Sequence, residues 1–489
     1  MPEIFVDQIW VHYSQFSILQ SSAVADQTTR MWTTFKASPG QIRAFVLTFV
    51  TYATYHSARS GFAGIKTALH EDSGFSKTHL GGMDVAFMLC YGLGQFFFGR
   101  TSDMLNQKYT LVFGAYGVAT ILFSFASLSY LGLEPSSYTG ICLFTLLRGM
   151  DGFVQATGWV TTVAIVGNWF GSSNRGIVFG LWACNLNIGD IVGLHLDSAI
   201  LESSLSWRSA LLCLAALLAF TATLDWVFLE PRPPLKEQEP FATEDAASAA
   251  ANGEKPEQDP LEDPSAGLLG ESASPPRAAP NPPPLKEGLV AGLVSAWKIP
   301  GVSEYAVSYA FLKMVNYGLF FWLPYYLVEG APQLDGSAAD RMASVFDVGF
   351  MFGGVLTGVV SDALGALTGS PTRSPAVVAS MLLALVPFFR MVNATSETSL
   401  VVSVLFAGCL LGGPAEATQT SVAIDYGKES HSHKLSTIVG IIDGVGALGA
   451  AAGQILIARI SDWYGWKQSV KVFRQANREI VFDDGIQMT

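Results

Sequence analysis

The residues of this sequence most able to do chemistry are ionisable side chains that lie inside apolar segments. Arg59 lies in the stretch YATYHSARSGFAGIK, and Lys313 lies in SYAFLKMVNYGLFFWLPYYL. In the hydrocarbon core of a bilayer such a charge costs about 2.5–3.5 kcal/mol on insertion scales, so each one needs a compensating role. A buried cation with hydrogen-bond donors around it is suited to hold an oxyanion.

Arg59 has polar neighbours at helical spacing. Tyr52, Tyr55 and His56 are placed to share one helix face with it. We predict that these four residues form the first part of a substrate-binding site. The pattern leaves a second interpretation open, in which the long Arg59 side chain simply reaches the membrane interface.

Lys313 is followed by Asn316 and Tyr317, at i+3 and i+4 on the same predicted helix. We predict that these three residues form the second part of the site. Two alternatives remain open: the lysine could reach the interface, or it could pair with an acid such as Asp347.

Buried acids form a second group of candidates. Asp347, Glu416 and Asp443 could relay protons, or they could bond to neighbouring backbone and exchange partners between conformations. We favour a gating or structural role for all three. Arg148 and Asp151 are three residues apart, so we expect them to neutralise each other as a structural pair.

Sequence motifs of hydrolytic, redox and metal centres are absent. There is no Walker loop, no H-E-x-x-H helix and no G-x-S-x-G elbow, and the five cysteines lack metal-ligand spacing. No basic patch of the kind that binds nucleic acid is present. We therefore predict that the protein is not an enzyme, has no catalytic residues, and needs no cofactor or metal.

The elements that must position these residues are membrane-spanning helices. The chain has 489 residues, of which 50% are apolar and 14% charged, with a mean hydropathy of +0.36. Soluble domains carry about 25% charged residues, and a spanning helix needs about 20 apolar residues. The sequence predicts an all-α polytopic membrane protein with eleven visible spans, at about 44–67, 80–100, 109–131, 139–166, 176–201, 207–229, 301–328, 341–361, 376–392, 398–424 and 436–460.

The spans fall into two groups. We predict an N-terminal segment at 1–43, a six-helix bundle at 44–230, an acidic Pro-rich linker at 231–300, a five-span bundle at 301–461 and a polar tail at 462–489. The linker composition is typical of a disordered segment, because it offers too little apolar area to offset its ordering entropy. Basic residues in the short loops place the N-terminal segment and the linker in the cytoplasm.

Several stretches together resemble a known family. They are YHSARSGFAGIKTALH, QATGWVTTVAIVGNWFGSSNRGIVFGLW, FLKMVNYGLFFWLPYYL, VFDVGFMFGGVLTGVVSD, GGPAEATQTSVAID and IIDGVGALGAAAGQ. The chain resembles the organophosphate:phosphate antiporters of the major facilitator superfamily. It looks closest to the eukaryotic sugar-phosphate exchangers (solute carrier family 37), which include glycerol-3-phosphate transporter-like proteins. The resemblance implies the major facilitator fold, with two helical bundles around a central cavity.

That fold has a twelfth helix, and here the residues after Trp466 are too polar to form one. Either the gene model departs from the protein at this point, or the chain has eleven spans. Two further positions also differ. Ser60 stands where many members have a second basic residue, and Leu186 replaces a histidine of the bacterial fifth-helix pattern.

The resemblance implies exchange of a phosphorylated small metabolite, such as glycerol-3-phosphate or a sugar phosphate, for inorganic phosphate. Arg59 falls at the family's first-helix arginine and Lys313 at its seventh-helix lysine, so both are implied to grip the phosphoryl group. We expect the two like charges to oppose closure of the empty site and a phosphate to draw the halves together.

The expected partners are therefore a phosphorylated substrate, inorganic phosphate and membrane lipid, for a monomer in an endomembrane such as the endoplasmic reticulum or in the plasma membrane. Two alternatives stay open. One is a proton-coupled transporter of another organic anion or polar solute, in which Asp347, Glu416 or Asp443 carries the proton. The other is a non-transporting sensor or truncated homologue.

Overall fold

The structure is a computed structural model that describes residues 37–128, 134–170, 175–203, 205–234, 288–330, 335–368, 374–394, 396–427 and 434–464. All regular secondary structure in these ranges is helical. The helices are α1 (Pro39–Gly64), α2 (Lys66–Ser73), α3 (Lys77–Met104), α4 (Gln107–Leu128), α5 (Tyr138–Trp169), α6 (Arg175–Glu202), α7 (Trp207–Phe228), α8 (Leu289–Trp297), α9 (Val302–Gly330), α10 (Gly336–Thr368), α11 (Ser374–Leu383), α12 (Leu385–Val392), α13 (Glu397–Gly427) and α14 (Leu435–Tyr464).

Serine side chains mark where long helices begin. The Ser76 hydroxyl accepts a hydrogen bond from the backbone N–H of His79 at 3.2 Å, before α3. Ser137 does the same for Gly140 at 3.1 Å, before α5. Each bond satisfies a backbone donor that the first turn of a helix leaves unpaired. These local signals fix where the two helices begin.

Six of the described helices are long and apolar enough to cross a membrane, which confirms an integral membrane protein. Their spanning parts are Lys77–Met104, Gln107–Leu128, Trp207–Phe228, Val302–Val328, Glu397–Ala415 and Leu435–Ile457. The total of eleven spans stays a prediction. The predicted span at 376–392 is interrupted at Ala384, between α11 and α12, because Pro387 has no N–H to bond the carbonyl of Leu383.

Helices of the first half of the chain (α1–α7) pack mainly on one another, as do those of the second half (α8–α14). In the first half α3 packs on α5, and α4 packs on α5 and α7. In the second half α9 packs on α14, and α10 packs on α13. Two long contacts join the halves, one between α3 and α14 and one between α6 and α10.

Contacts between the halves occur at both ends of the molecule. At the end that carries Glu230 and α8, here called the linker end, the Asp103 carboxylate accepts hydrogen bonds from the Thr437 backbone N–H at 3.0 Å and from its hydroxyl at 2.6 Å. At the opposite end the Ser198 hydroxyl donates to the backbone oxygen of Ser337 at 3.3 Å, across α6 and α10. The two halves are therefore in contact at both ends of the molecule at the same time.

Glycines let helices approach to backbone distance. A Cβ added at Gly99 would lie 2.8 Å from the Ser436 oxygen, and one at Gly440 would lie 2.5 Å from the Gln95 oxygen, so α3 and α14 touch without intervening side chains. Within the first half, a Cβ at Gly94 would lie 2.5 Å from the Phe153 oxygen. The packing role expected for glycine-rich helices thus has a clear geometric basis.

We expect Gly94→Ala to destabilise the first half, because its methyl group would force α3 away from α5. Overpacking of this kind costs about 1–3 kcal/mol. Thermal unfolding in detergent would show a lower midpoint for this variant. Gly82→Ala is the matched control on the same helix, where an added Cβ meets nothing within 4 Å. Equal midpoints for the two variants would contradict the close α3–α5 contact.

Candidate functional site

Arg59 on α1 is completely buried, with a side-chain exposure of 0%. Its Nε donates to the Gln155 side-chain oxygen at 3.1 Å, and its Nη1 donates to the Tyr317 hydroxyl at 2.8 Å. Gln155 belongs to the first half and Tyr317 to the second. Nη2 is buried and has no hydrogen-bond partner among the described residues. A donor of this kind is available to a ligand oxygen.

Lys313 on α9 lies close to Arg59 across the interface between the halves. The Tyr91 ring centroid is 4.7 Å from the Arg59 Cζ and 5.1 Å from the Lys313 Nζ. The Tyr317 ring centroid is 5.9 Å and 4.9 Å from the same two atoms. Both cations therefore face the same two electron-rich rings, a favourable arrangement for charges held away from water.

Lys313 is also paired with a carboxylate. Its Nζ donates to the Asp443 Oδ1 at 2.6 Å, while Oδ2 of that acid is buried without a partner in the described parts of the chain. This corrects the expectation of two uncompensated cations in an empty site. The acid is Asp443, not Asp347, because α14 packs along α9 and brings a counter-charge to the desolvated ammonium group.

A polar chain within the first half holds Arg59 in place. The Arg148 Nη1 donates to the Asp151 Oδ2 at 2.5 Å, so the predicted structural pair is present. Gln155 Nε2 donates to the other oxygen of Asp151 at 3.0 Å. Since the Gln155 oxygen accepts from Arg59, the ion pair orients the glutamine and the glutamine orients the guanidinium.

The three other first-half candidates differ in their surroundings. Tyr55 is turned into the first half, where its hydroxyl bonds the Thr157 hydroxyl at 3.1 Å and the Leu111 oxygen at 3.2 Å. It therefore does not join the site, because α1 is enclosed by other helices and only part of its surface faces the second half. Tyr52 packs edge-on against His56, with ring centroids 5.1 Å apart.

His56 forms a separate polar contact beside the site. Its Nδ1 lies 3.1 Å from the Asp190 Oδ1, and its Nε2 is buried without a partner in the described ranges. Asp347 is buried near Asp190, within electrostatic reach of it. The predicted candidate Asp347 thus lies at the contact between α6 and α10 and not beside Lys313.

The remaining candidates belong to the second half. Asn316 is buried, and its side-chain oxygen has no partner within the residues described. Tyr317 contacts Arg59, as noted above. The Glu416 side chain lies outside the described residues, so its predicted coupling or gating role stays a prediction.

Sequence reasoning missed several residues at this interface. Lys66, at the end of the predicted span 44–67, was not among the candidates, yet it is fully buried, forms an ion pair with Asp84 and donates to the Phe321 oxygen at 2.8 Å. The position of Asp84 inside an apolar segment was a usable signal. Gln155 and Tyr91 carry no charge, so the cost of burying an ion could not have identified them.

The site offers donors and cations for an oxyanion. In the described part of the chain no group of three or more His, Cys, Asp or Glu residues could hold a metal ion. What converges between the halves is a guanidinium with a free N–H, an ammonium paired with Asp443 and two phenol rings. Two cations against one carboxylate suit an anion better than a neutral solute.

Solved structures with a similar fold are transporters. The chain aligns with a bacterial homologue of the human lysosomal transporter Spinster, in an inward-facing unoccupied conformation, with a TM-score of 0.60 and 14% identity over 91% of this chain and 87% of that one. The Escherichia coli xylose transporter XylE aligns with a TM-score of 0.62 and 11% identity over 92% of this chain and 100% of its own. At these identities the likeness shows the fold alone.

Sequence relatives narrow the family. Sugar phosphate exchanger 3 of Homo sapiens is 31% identical over 458 residues, which cover 86% of this chain and 87% of that protein. An Arabidopsis thaliana protein provisionally named glycerol-3-phosphate transporter 1 is 28% identical, over 87% of this chain and 83% of its own. The Major Facilitator Superfamily profile matches residues 48–454. The chain therefore belongs to the major facilitator superfamily, among the relatives of the sugar phosphate exchangers, and is a membrane transporter and not an enzyme.

Proposed function

We propose that this transporter exchanges a phosphorylated small metabolite, a sugar phosphate or glycerol-3-phosphate, for inorganic phosphate by alternating access. The observation that carries the proposal is the convergence of Arg59 and Lys313, from different halves, on the rings of Tyr91 and Tyr317. The names of the relatives supply the substrate class.

Phosphate binding begins at Arg59. The guanidinium presents the free Nη2, and its Nη1 can exchange the Tyr317 hydroxyl for a phosphate oxygen. Two parallel N–H···O bonds of this kind are the strongest that arginine makes with phosphate. Because the Arg59 Nε still donates to Gln155, the guanidinium keeps its orientation while Nη1 and Nη2 bind the anion.

Lys313 then exchanges one anion for another. In the empty site its partner is Asp443, and in the loaded site it is the phosphoryl group. The ammonium therefore never remains in a low-dielectric interior without a counter-charge, which would cost several kcal/mol. An inorganic phosphate and a phosphate ester satisfy this requirement equally, so each can accompany one leg of an exchange cycle.

Alternating access requires the contacts at the two ends to open in turn. Asp103 and Thr437 hold the linker end, while Ser198 and Ser337 hold the opposite end. A substrate that contacts both halves stabilises the closed form more than either open form. Only such differential affinity can shift the conformational equilibrium.

We expect Arg59→Gln and Lys313→Met each to reduce exchange of radiolabelled phosphate by roughly 10- to 150-fold in proteoliposomes preloaded with phosphate. This loss of rate corresponds to the free energy of one hydrogen bond to a charged group. Lys298→Met is the matched control, because Lys298 is exposed at the linker end. Full exchange in either site variant would refute the proposed grip on phosphate.

The same vesicles separate exchange from proton-coupled uptake. Exchange predicts that uptake stops when internal phosphate is omitted and returns when a phosphate ester is loaded instead. Uptake that follows an imposed pH gradient and ignores internal phosphate would overturn the antiport proposal.

For Asp443→Asn we expect opposite effects on binding and turnover. Phosphate should bind about tenfold more tightly, equivalent to about 1.4 kcal/mol, because no carboxylate competes for Lys313. Exchange should be slower, because the emptied site lacks the partner to which the lysine returns. Calorimetric binding and vesicle exchange measure the two quantities. Asp72→Asn, at an exposed position on α2, is the control. An unchanged phosphate affinity in Asp443→Asn would contradict the exchange of partners at Lys313.

A further inference from the structure

The contact between α6 and α10 contains two acids that the proposed transport mechanism does not use. Asp197 on α6 is 0% exposed and Asp340 on α10 is 1% exposed. They come from different halves of the chain and meet at the end opposite the linker. None of their four carboxylate oxygens has a hydrogen-bond partner among the described residues.

Both carboxylates point at the same small space beside α1. A Cβ added at Gly64 would lie 2.5 Å from the Asp197 Oδ2 and 3.2 Å from the Asp340 Oδ2. Those two oxygens are therefore at most about 6 Å apart, well inside the range in which buried charges interact. Glycines at positions 61 and 64 leave room for the Asp197 carboxylate against α1.

The cation beside the pair, Arg341, attracts the Asp340 carboxylate electrostatically but makes its hydrogen bonds to other groups. Arg341, next to Asp340 in sequence, bonds the Glu202 carboxylate and the Ser198 hydroxyl. Asp335, ahead of α10, adds negative charge near Asp340.

The other helices packed here bring little compensation. On α7, Arg208 lies over the Trp207 ring at 4.4 Å. Glu397, at the start of α13, is exposed. On α1, Arg59 bonds Gln155 and Tyr317, and His56 pairs with Asp190.

A second acid pair lies deeper along the same contact. Asp190 lies seven residues before Asp197 on α6, and Asp347 lies seven residues after Asp340 on α10. Because the two helices run in opposite directions, Asp190 and Asp347 are again at the same level, two turns deeper in the protein. The deeper pair has His56 beside it, whereas the outer pair has no such partner in the ranges described. The outer pair is therefore the less compensated of the two.

Two ionised carboxylates cannot remain buried face to face without a cation, since their repulsion adds to the loss of hydration. One proton removes a charge and supplies an O–H donor to the other oxygen. We propose that Asp197 and Asp340 form a proton-binding pair that holds α6 against α10, so that closure of this end takes up at least one proton and its opening releases it.

The sign of the effect follows from linkage. The closed form binds more protons than the open form, so a lower pH stabilises closure at this end and a higher pH favours opening. For a difference of one proton, the ratio of open to closed protein changes by up to about tenfold per pH unit. This behaviour does not depend on phosphate, and it would hold whatever solute the protein carries.

The test measures opening directly in substrate-free protein in nanodiscs. Ser337→Cys places a thiol at the buried contact with Ser198, and Ser136→Cys places one at an exposed position on the same end. The quantity compared is the ratio of the maleimide labelling rate of Ser337→Cys to that of Ser136→Cys. This ratio corrects for the pH dependence of thiol reactivity. The parent protein without an added cysteine sets the background.

We expect this ratio to rise several-fold between pH 5.5 and 7.5. Asp197→Asn and Asp340→Asn, alone and together, should keep the ratio low and abolish its pH dependence. Asp72→Asn, on the exposed face of α2 at the same end, should retain it. Size-exclusion profiles establish that the near-isosteric variants are folded.

A ratio that does not change with pH in the parent overturns the proposal. The proposal is also overturned if the pH dependence survives in the double variant Asp197→Asn, Asp340→Asn. The same holds if His56→Gln abolishes the pH dependence while the double variant retains it. Because no phosphate is present, none of these results depends on whether phosphate exchange is correct. Failure of the exchange assay would in turn leave this inference intact.

Discussion

Every charge inside this protein must find a partner that replaces water, and this requirement explains the polar contacts that run through its apolar core. Arg148 is paired with Asp151, and Lys66 with Asp84. These pairs are internal to the first half, and they would lose several kcal/mol if one member were removed. Where a bond crosses between the halves, as for Arg59 with the Tyr317 hydroxyl, the same energy holds the transporter closed.

A contact that stabilises the empty closed form also slows transport, so the cross-half partners must be exchangeable. The Tyr317 hydroxyl is suitable, and so is the Asp443 carboxylate that pairs with Lys313 within the second half, because a phosphate oxygen can replace either without leaving a cation unpaired. The Gln155 and Asp151 chain has the opposite property, since both its donors and its acceptors lie within one half. One set of bonds therefore positions the guanidinium permanently, while the other is available for exchange with the substrate.

Much of this arrangement could be predicted from the sequence, because insertion cost singles out charges in apolar segments. Arg59, Lys313 and the Arg148–Asp151 pair were found in this way, and the helical spacing placed Tyr317 beside Lys313, whereas its contact with Arg59 was not predicted. Tyr55 was misplaced because spacing defines a helix face but not which neighbour that face meets. The Asp443 partner of Lys313 lies 130 residues away, and a contact of that range is set by helix packing, which a local pattern does not encode. Asp197 escaped notice because it lies near the end of the predicted span 176–201, where a charge is expected close to the membrane interface.

The two ends of the molecule differ in a way that bears on direction. At the linker end the half-buried acid Asp103 accepts two hydrogen bonds from Thr437, so an ionised carboxylate has donors from the other half there. At the opposite end Asp197 faces another acid and receives no hydrogen bond from the residues described. Deprotonation therefore weakens closure at the second end, where no donor receives the new charge. A rise in pH would favour opening at the end opposite the linker, which makes the conformational balance depend on the acidity of the compartment that this end faces.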